Sequence, residues 1–357
     1  MRILRLACLV SFSLAAWAQE AGSGFELRTT LSEAGFYSHD LSESPRSGDP
    51  VTGGFHGVFY PVWKWNEHWT VEGAVQIASR PYFYQEFETQ GYGVKTDVLQ
   101  AHLNYSRFWK KGSMVVRAGM LSSAFGSFLL RYDDAVNPLI DMPSIYGYYG
   151  GVSPLGLAGV QTDATLGKAD FRAQLVNSSV VNRRSIFDHD QYGNWAGGAG
   201  YTIVQGFRVG ASFFRGPYLD RQFPFYFPGE AKPSELPATG VGVDVSWARG
   251  PWNVYGEWQR LQLDYRLIPT FSEHAAYGEI RRVLHPRWYL AARLGYSKPS
   301  FGAGYQSYET AIGYRPNTHQ LVKLGYEVEQ GPAIRGTLDN TLAIQIVTTF
   351  RALSLTR

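Results

Sequence analysis

The chain of 357 residues contains one cysteine, Cys8, and four methionines. One cysteine excludes an internal disulfide framework and a thiolate metal site. No apolar run reaches the ~20 residues that a membrane-crossing helix needs, which excludes a helical polytopic membrane protein. Charged residues make up only 18 %, and mean hydropathy is −0.21. The hydrophobic content of 45 % is nevertheless too high for a disordered chain. What is abundant is aromatic residues and glycine: 10 Trp, 23 Tyr, 21 Phe and 39 Gly. Many rings and glycines without long apolar runs suit short alternating strands, each with one apolar face.

The first residues read as a secretory signal. Arg2 and Arg5 form a positive start, Leu6 to Leu14 are mostly apolar, and Ala16-Trp17-Ala18 fits a small-x-small cleavage site. Residues 1–18 are therefore expected to be removed, and 19–357 to form a single domain. Removal takes Cys8 and two arginines, so the net charge falls from +3 to +1. So small a charge does not support a nucleic-acid partner.

Period-two alternation recurs along the mature chain. Val241, Val243, Val245 and Trp247 oppose Gly242, Asp244 and Ser246; Leu290, Ala292, Leu294 and Tyr296 oppose Ala291, Arg293, Gly295 and Ser297. The same holds in 69–80, in 98–106 (with Leu99, Ala101, Leu103 and Tyr105 on the apolar face), in 320–329 and in 342–350. Between such segments, seven short and eight long connections alternate strictly. Fifteen connections predict sixteen antiparallel strands, with fourteen or eighteen as the neighbouring counts, and both termini on the short-turn side. The expected fold is an all-β transmembrane barrel. Trp63, Trp65, Trp69, Phe108, Trp109, Phe207, Trp247, Trp252 and Trp288 lie beside short turns, as an interfacial aromatic girdle does. A soluble sandwich would not present Val, Leu, Trp and Tyr on one face of nearly every strand, and no blade-length repeat suggests a propeller.

The long connection 122–156 is too apolar for a solvated loop, with Phe125, Phe128, Leu129, Leu130, Leu139 and Ile140 among its residues. A barrel of this size encloses an aqueous lumen that can receive it, so the loop is expected to fold inward as a constriction. Parity places Arg117, Arg172 and Arg208 on the lumen face, together with a mixture of other basic and acidic groups. The loop adds Arg131, Asp133, Asp134 and Asp141. The expected arrangement sets the loop carboxylates across the pore from Arg117, Arg172 and Arg208, giving a transverse field; salt bridges tying loop to wall are the competing arrangement.

Arg117-Ala118-Gly119 followed by Phe125-Gly126, then Asn137-Pro138 and Asp141-Met142-Pro143, carry a family resemblance, joined by Gly159-Val160-Gln161 and Leu175-Val176-Asn177. Over 115–180 the chain resembles bacterial outer-membrane porins of the phosphate-selective type. In that family an R-x-G strand and an F-G turn lead into the constriction loop, and a G-V-Q strand leaves it. The resemblance implies a sixteen-stranded, trimeric, passive channel in the bacterial outer membrane. It would lie among outer-membrane lipid and lipopolysaccharide and pass small polar solutes, without a cofactor. It does not carry phosphate selectivity, because the lumen charges are mixed.

Two alternatives stay open. One is a substrate-specific channel, for oligosaccharides, on whose sugars Phe223-Pro-Phe-Tyr-Phe-Pro228 could stack, or for anions such as phosphate. A barrel enzyme is the remote alternative. The eight histidines fall mostly into loops and turns, His102 alone being expected mid-strand in the lumen, and no Ser/His/acid set stands out. Asp188-His189-Asp190 read as a solvated loop tip.

Overall fold

A computed structural model describes residues 23–38, 49–80, 93–146, 155–187, 191–219, 232–265, 269–331 and 340–356. The signal segment 1–18, the aromatic run 223–228 and the trio 188–190 lie outside the described residues. Sixteen strands follow in chain order. The first four are β1 (Gly24–Tyr37), β2 (Val51–Lys64), β3 (Trp69–Arg80) and β4 (Gly93–Trp109). Next come β5 (Gly112–Leu121), β6 (Leu157–Leu166), β7 (Ala169–Val176) and β8 (Asn194–Val204). β9 (Phe207–Pro217), β10 (Pro237–Arg249), β11 (Trp252–Leu263) and β12 (Phe271–His285) continue the wall. It ends with β13 (Trp288–Pro299), β14 (Tyr305–Tyr314), β15 (Gln320–Gln330) and β16 (Asn340–Thr356).

Each strand pairs with its sequence neighbours, and β1 also pairs antiparallel with β16, so the sheet closes on itself. The strand count, the alternation of short turns with long loops and the common rim of both termini are as the sequence leads one to expect. The short turns are tight enough to need left-handed backbone: Gly167 has φ 62° and Gly206 φ 85°, which side-chain-bearing residues adopt only with strain.

Outward residues are apolar and open: Val243 is 51 % exposed, Leu294 59 % and Ile344 49 %. With Trp63, Trp109 and Trp288 exposed at the short-turn rim, this surface is the lipid face of a transmembrane barrel. Two bulges correct the simple parity reading. Ala74 pairs with Gln100 and Val75 with Val98, so Leu99 has no partner on β3. The extra residue turns Leu99 inward, where it is buried among Val58, Ala74 and Leu155 rather than facing lipid. In β16, Leu27 pairs with Leu353 and Arg28 with Arg351, leaving Ala352 unpaired. The closing strand thus runs six residues past Phe350, and Leu353 and Leu355 take over the outward positions.

A cation on the lipid face at mid-strand has neither water nor a partner. Leu294→Arg is expected to lower the folding free energy by about 2–4 kcal/mol when measured by denaturant titration in lipid vesicles.

Candidate pore constriction

The loop after β5 turns into the barrel at its first residues. Gln174 on β7 holds this entry: its Oε1 accepts from Ala124 N–H at 3.0 Å, and its Nε2 donates to Ser122 O at 2.7 Å. Phe125 meets Phe214 edge-on, ring centres 4.8 Å apart. Gly126 has φ 85° and sits where an added Cβ would strike the Tyr146 hydroxyl, so the F-G turn requires its glycine. Ser127 donates to Glu257 on β11 through N–H (3.2 Å) and Oγ (2.8 Å), and the Tyr146 hydroxyl donates to the same carboxylate. A short 3₁₀ turn, Phe128–Arg131, then carries the chain across the lumen. The apolar loop side chains Phe125, Phe128, Ile145 and Tyr146 are fully buried against wall residues such as Phe214, Leu261 and Tyr277.

Beyond the turn, the loop is fastened by buried charges. The Arg131 guanidinium pairs with Glu279, donates to the Tyr277 hydroxyl at 2.8 Å and lies 3.9 Å over the Tyr255 ring. Arg293 bridges Glu279 (2.9 Å) and Glu309 (3.0 Å) and also donates to Asp141 O (2.9 Å) and Asn137 Oδ1 (3.1 Å). Glu309 in turn accepts the loop N–H groups of Ile140 (3.0 Å) and Asp141 (3.1 Å). Lys323 Nζ donates to Asp134 O (2.6 Å) and Leu139 O (2.9 Å). Asp134 lies 2.7 Å from His56 Nδ1 and accepts from Ser32 Oγ. Asp133 accepts from Thr30 Oγ1 at 2.8 Å and from the Tyr60 hydroxyl. Buried charge is costly unless paired and hydrogen-bonded; Arg131, Arg293 and Asp134 have charged partners, and Lys323 and Asp133 are held by two carbonyls and by two hydroxyls. Burial alone would push the Asp134 carboxyl up, but His56, Lys323 and Ser32 outweigh it and hold the group at about 2.

A second set of ion pairs stays wet. On β5–β7, Arg117 pairs with Asp163, and Arg172 approaches the same carboxylate at 4.0 Å. Arg208 on β9 reaches Asp170 on β7 at 2.7 Å and Asp244 on β10 at 2.7 Å. To do so it crosses Gly200 and Gly210, where any Cβ would collide with the guanidinium or with Asp244. The side chains of Arg117, Arg172 and Arg208 are 29 %, 23 % and 26 % exposed, against 9 % for Arg131 and 2 % for Arg293. The loop is bonded mainly to β1–β3 and β11–β15 and leaves Arg117, Arg172 and Arg208 partly exposed.

The seven expected site residues are thus all lumenal, but they divide into two groups. Arg131, Asp133 and Asp134 anchor the loop through their side chains, and Asp141 through its backbone N–H and C=O. Arg117, Arg172 and Arg208 bind wall carboxylates, and no described ion pair joins them to Asp133, Asp134 or Asp141. Ion pairs between loop and wall, the competing arrangement, are present at Arg131–Glu279 and Asp134–His56. Parity assigns a side to each strand residue but does not say which strands a 35-residue loop reaches. His102, expected mid-strand in the lumen, is buried within β4, and His56, buried within β2, is a second such histidine. Among the described residues, no group of three or more His, Cys, Asp or Glu is placed to hold a metal ion.

Solved structures share this architecture. OmpF of Salmonella typhi, in complex with daunomycin, superposes with a TM-score of 0.63 at 12 % identity, covering 92 % of this chain and 98 % of that one. The outer-membrane channel DcaP of Acinetobacter baumannii gives 0.62 at 12 % identity, covering 93 % and 99 %. The outer membrane protein OmpT of Vibrio cholerae, in a trimer form, gives 0.60 at 12 % identity, covering 92 % and 100 %. At such identity the likeness is one of fold. No family model and no curated protein matches the chain.

Two outcomes test the anchoring. Removing the Asp134 carboxylate strands His56 and weakens the Lys323 corner, so Asp134→Ala is expected to cost about 3–5 kcal/mol, as breaking a buried pair does. Limited proteolysis should then cut within 132–142, where the parent resists. The Asp134 carboxyl in the folded chain lies below its ordinary 3.8, so its stabilisation is complete above about pH 4. It is lost as pH falls through about 2, and the parent's protease resistance in this loop should fall over that interval.

Proposed function

We propose that the protein is a passive diffusion channel for small hydrophilic solutes and ions across the bacterial outer membrane. The observation that carries this reading is the division of the lumen charges. Dry pairs fix an inward loop to one part of the wall, and wet pairs, Arg117–Asp163 and Asp170–Arg208–Asp244, line what remains open. Fixed charges of both signs beside water give ions and dipolar solutes alternating sites of moderate affinity, which passage requires. The closed barrel, its apolar belt and the likeness in fold to OmpF and DcaP support the same reading.

Arginine and carboxylate share the open wall, so the channel we propose has weak ion preference rather than specificity for phosphate. Its assembly is a homotrimer, in line with the trimer form of the similarly folded Vibrio cholerae protein. The aromatic run 223–228 lies outside the described residues and adds nothing to an oligosaccharide route.

Purified protein in planar bilayers is expected to give steady, stepwise currents. Under a salt gradient, Arg117→Ala combined with Arg172→Ala and Arg208→Ala should move the reversal potential toward cation preference. Absence of steps would remove the channel reading, and an unmoved potential would remove the arginine wall as the selecting element.

A further inference from the structure

The outward face carries a charge pattern that the channel does not use. On neighbouring strands, Arg260 of β11 pairs across with His274 of β12, and His274 with Lys298 of β13. Arg215 of β9 lies nearby on the same face, with Thr239 of β10 between it and β11. Arg260, Lys298 and Arg215 are exposed, and among the described residues none of the three forms an ion pair. The acids on these strands alternate to the other side: Glu257, Glu273 and Glu279 are buried in the lumen.

The position of the row is as telling as its charge. It lies at the long-loop rim, one outward position beyond Trp258 on β11 and Tyr296 on β13, both exposed on the lipid face. Trp258 also packs on the His274 ring, centres 5.7 Å apart, which fixes the middle of the row. Below these rings the same three strands are apolar outward through Val254, Ile280 and Leu294. Among the described residues no other strand presents a cation outward at this rim, and β1 presents an acid, Glu33. A line with an exposed cation at each end and an imidazole between, directly above an apolar, ring-edged wall, matches an amphiphile whose head is anionic and whose chains lie along that wall.

We infer that Arg260, His274 and Lys298 form a binding row for the phosphorylated headgroup of an outer-leaflet glycolipid, its acyl chains lying against β11–β13. This rests on the outer-membrane reading above, which puts the long-loop rim on the cell exterior. The guanidinium offers paired donors to phosphate, and Lys298 supplies a mobile point charge at the other end.

The test uses the purified full-length barrel in detergent, with diphosphorylated lipid A as the probe and native mass spectrometry and fluorescence titration as readouts. Near an anionic surface each cation contributes a factor of about five, so Arg260→Gln with Lys298→Gln should weaken lipid A binding by roughly thirty-fold. Arg249→Gln, an exposed cation at the opposite rim, should leave it unchanged. Dephosphorylated lipid A should bind the parent as poorly as the double variant binds the phosphorylated probe. Equal binding of both probes, or unaltered binding by the double variant, overturns the proposal. Displacement of the lipid by millimolar inorganic phosphate would assign the row to free anion and overturn the lipid assignment. A changed oligomeric state with unchanged lipid binding would make the row a subunit contact and likewise overturn it. Bilayer currents recorded on the same preparations keep the two readings apart. Lost lipid binding with normal currents confirms that the variant folds, whereas absent currents in the parent count against the channel itself.

Discussion

In hydrocarbon, a backbone N–H or C=O without a partner costs several kcal/mol, and this constraint governs the whole molecule. A sheet meets it only by closing, so the pairing of β1 with β16 is the condition for the other fifteen pairings to exist in lipid. Closure of sixteen strands fixes a lumen too wide for wall side chains to fill. That lumen must hold water, more protein, or both. Here the loop fills part of it, and its position determines which wall charges are covered and which stay exposed.

The two kinds of ion pair follow from this division. Arg293 and Arg208 have similar chemistry, each bridging two carboxylates: Arg293 those of its two neighbouring strands, Arg208 one on β10 and one on β7, across β8. Arg293 is covered by the loop, and the loss of water is offset by extra bonds to Asp141 O and Asn137 Oδ1. Such a pair, once covered, resists removal because either partner alone would be an uncompensated charge. Arg208 lies across glycine backbone and keeps contact with water, where its attraction to Asp170 and Asp244 is screened. The first arrangement locates the loop; the second leaves its charges partly exposed.

Much of the barrel was legible in the sequence because its code is short-range. Alternation identifies a strand and its apolar face, and turn residues such as Gly167 and Gly206 mark the short connections. Legibility fails where one residue is added without a compositional mark. Nothing in 98–106 distinguishes Leu99 from the apolar residues after it; the register with β3 alone sets it inward. The extension of β16 past Phe350 was obscured in the same way by the bulge at Ala352. The candidate site was legible as a set of residues and not as a set of pairs. Asp134 finds its partners at His56, 78 residues earlier, and at Lys323, 189 residues later, a relation that no local pattern encodes.

Those long separations give the loop a structural role beyond narrowing the lumen. Its bonds reach Ser32 on β1, His56 on β2, Glu279 on β12 and Lys323 on β15, so its docking surface exists only once strands from both ends of the chain stand in place. The seam between β1 and β16 is thereby braced from within by a segment that belongs to neither. An apolar plug could fill the same volume, but it would not favour one seating over another along an apolar wall. Buried charges have few permitted partners, so Arg131 at Glu279, Asp134 at His56 and Lys323 under Leu139 together specify one position. The loop lies toward β1–β3 and β11–β15 because its charges have partners there, whereas Arg117, Arg172 and Arg208 are already paired with carboxylates of their own wall and offer it none.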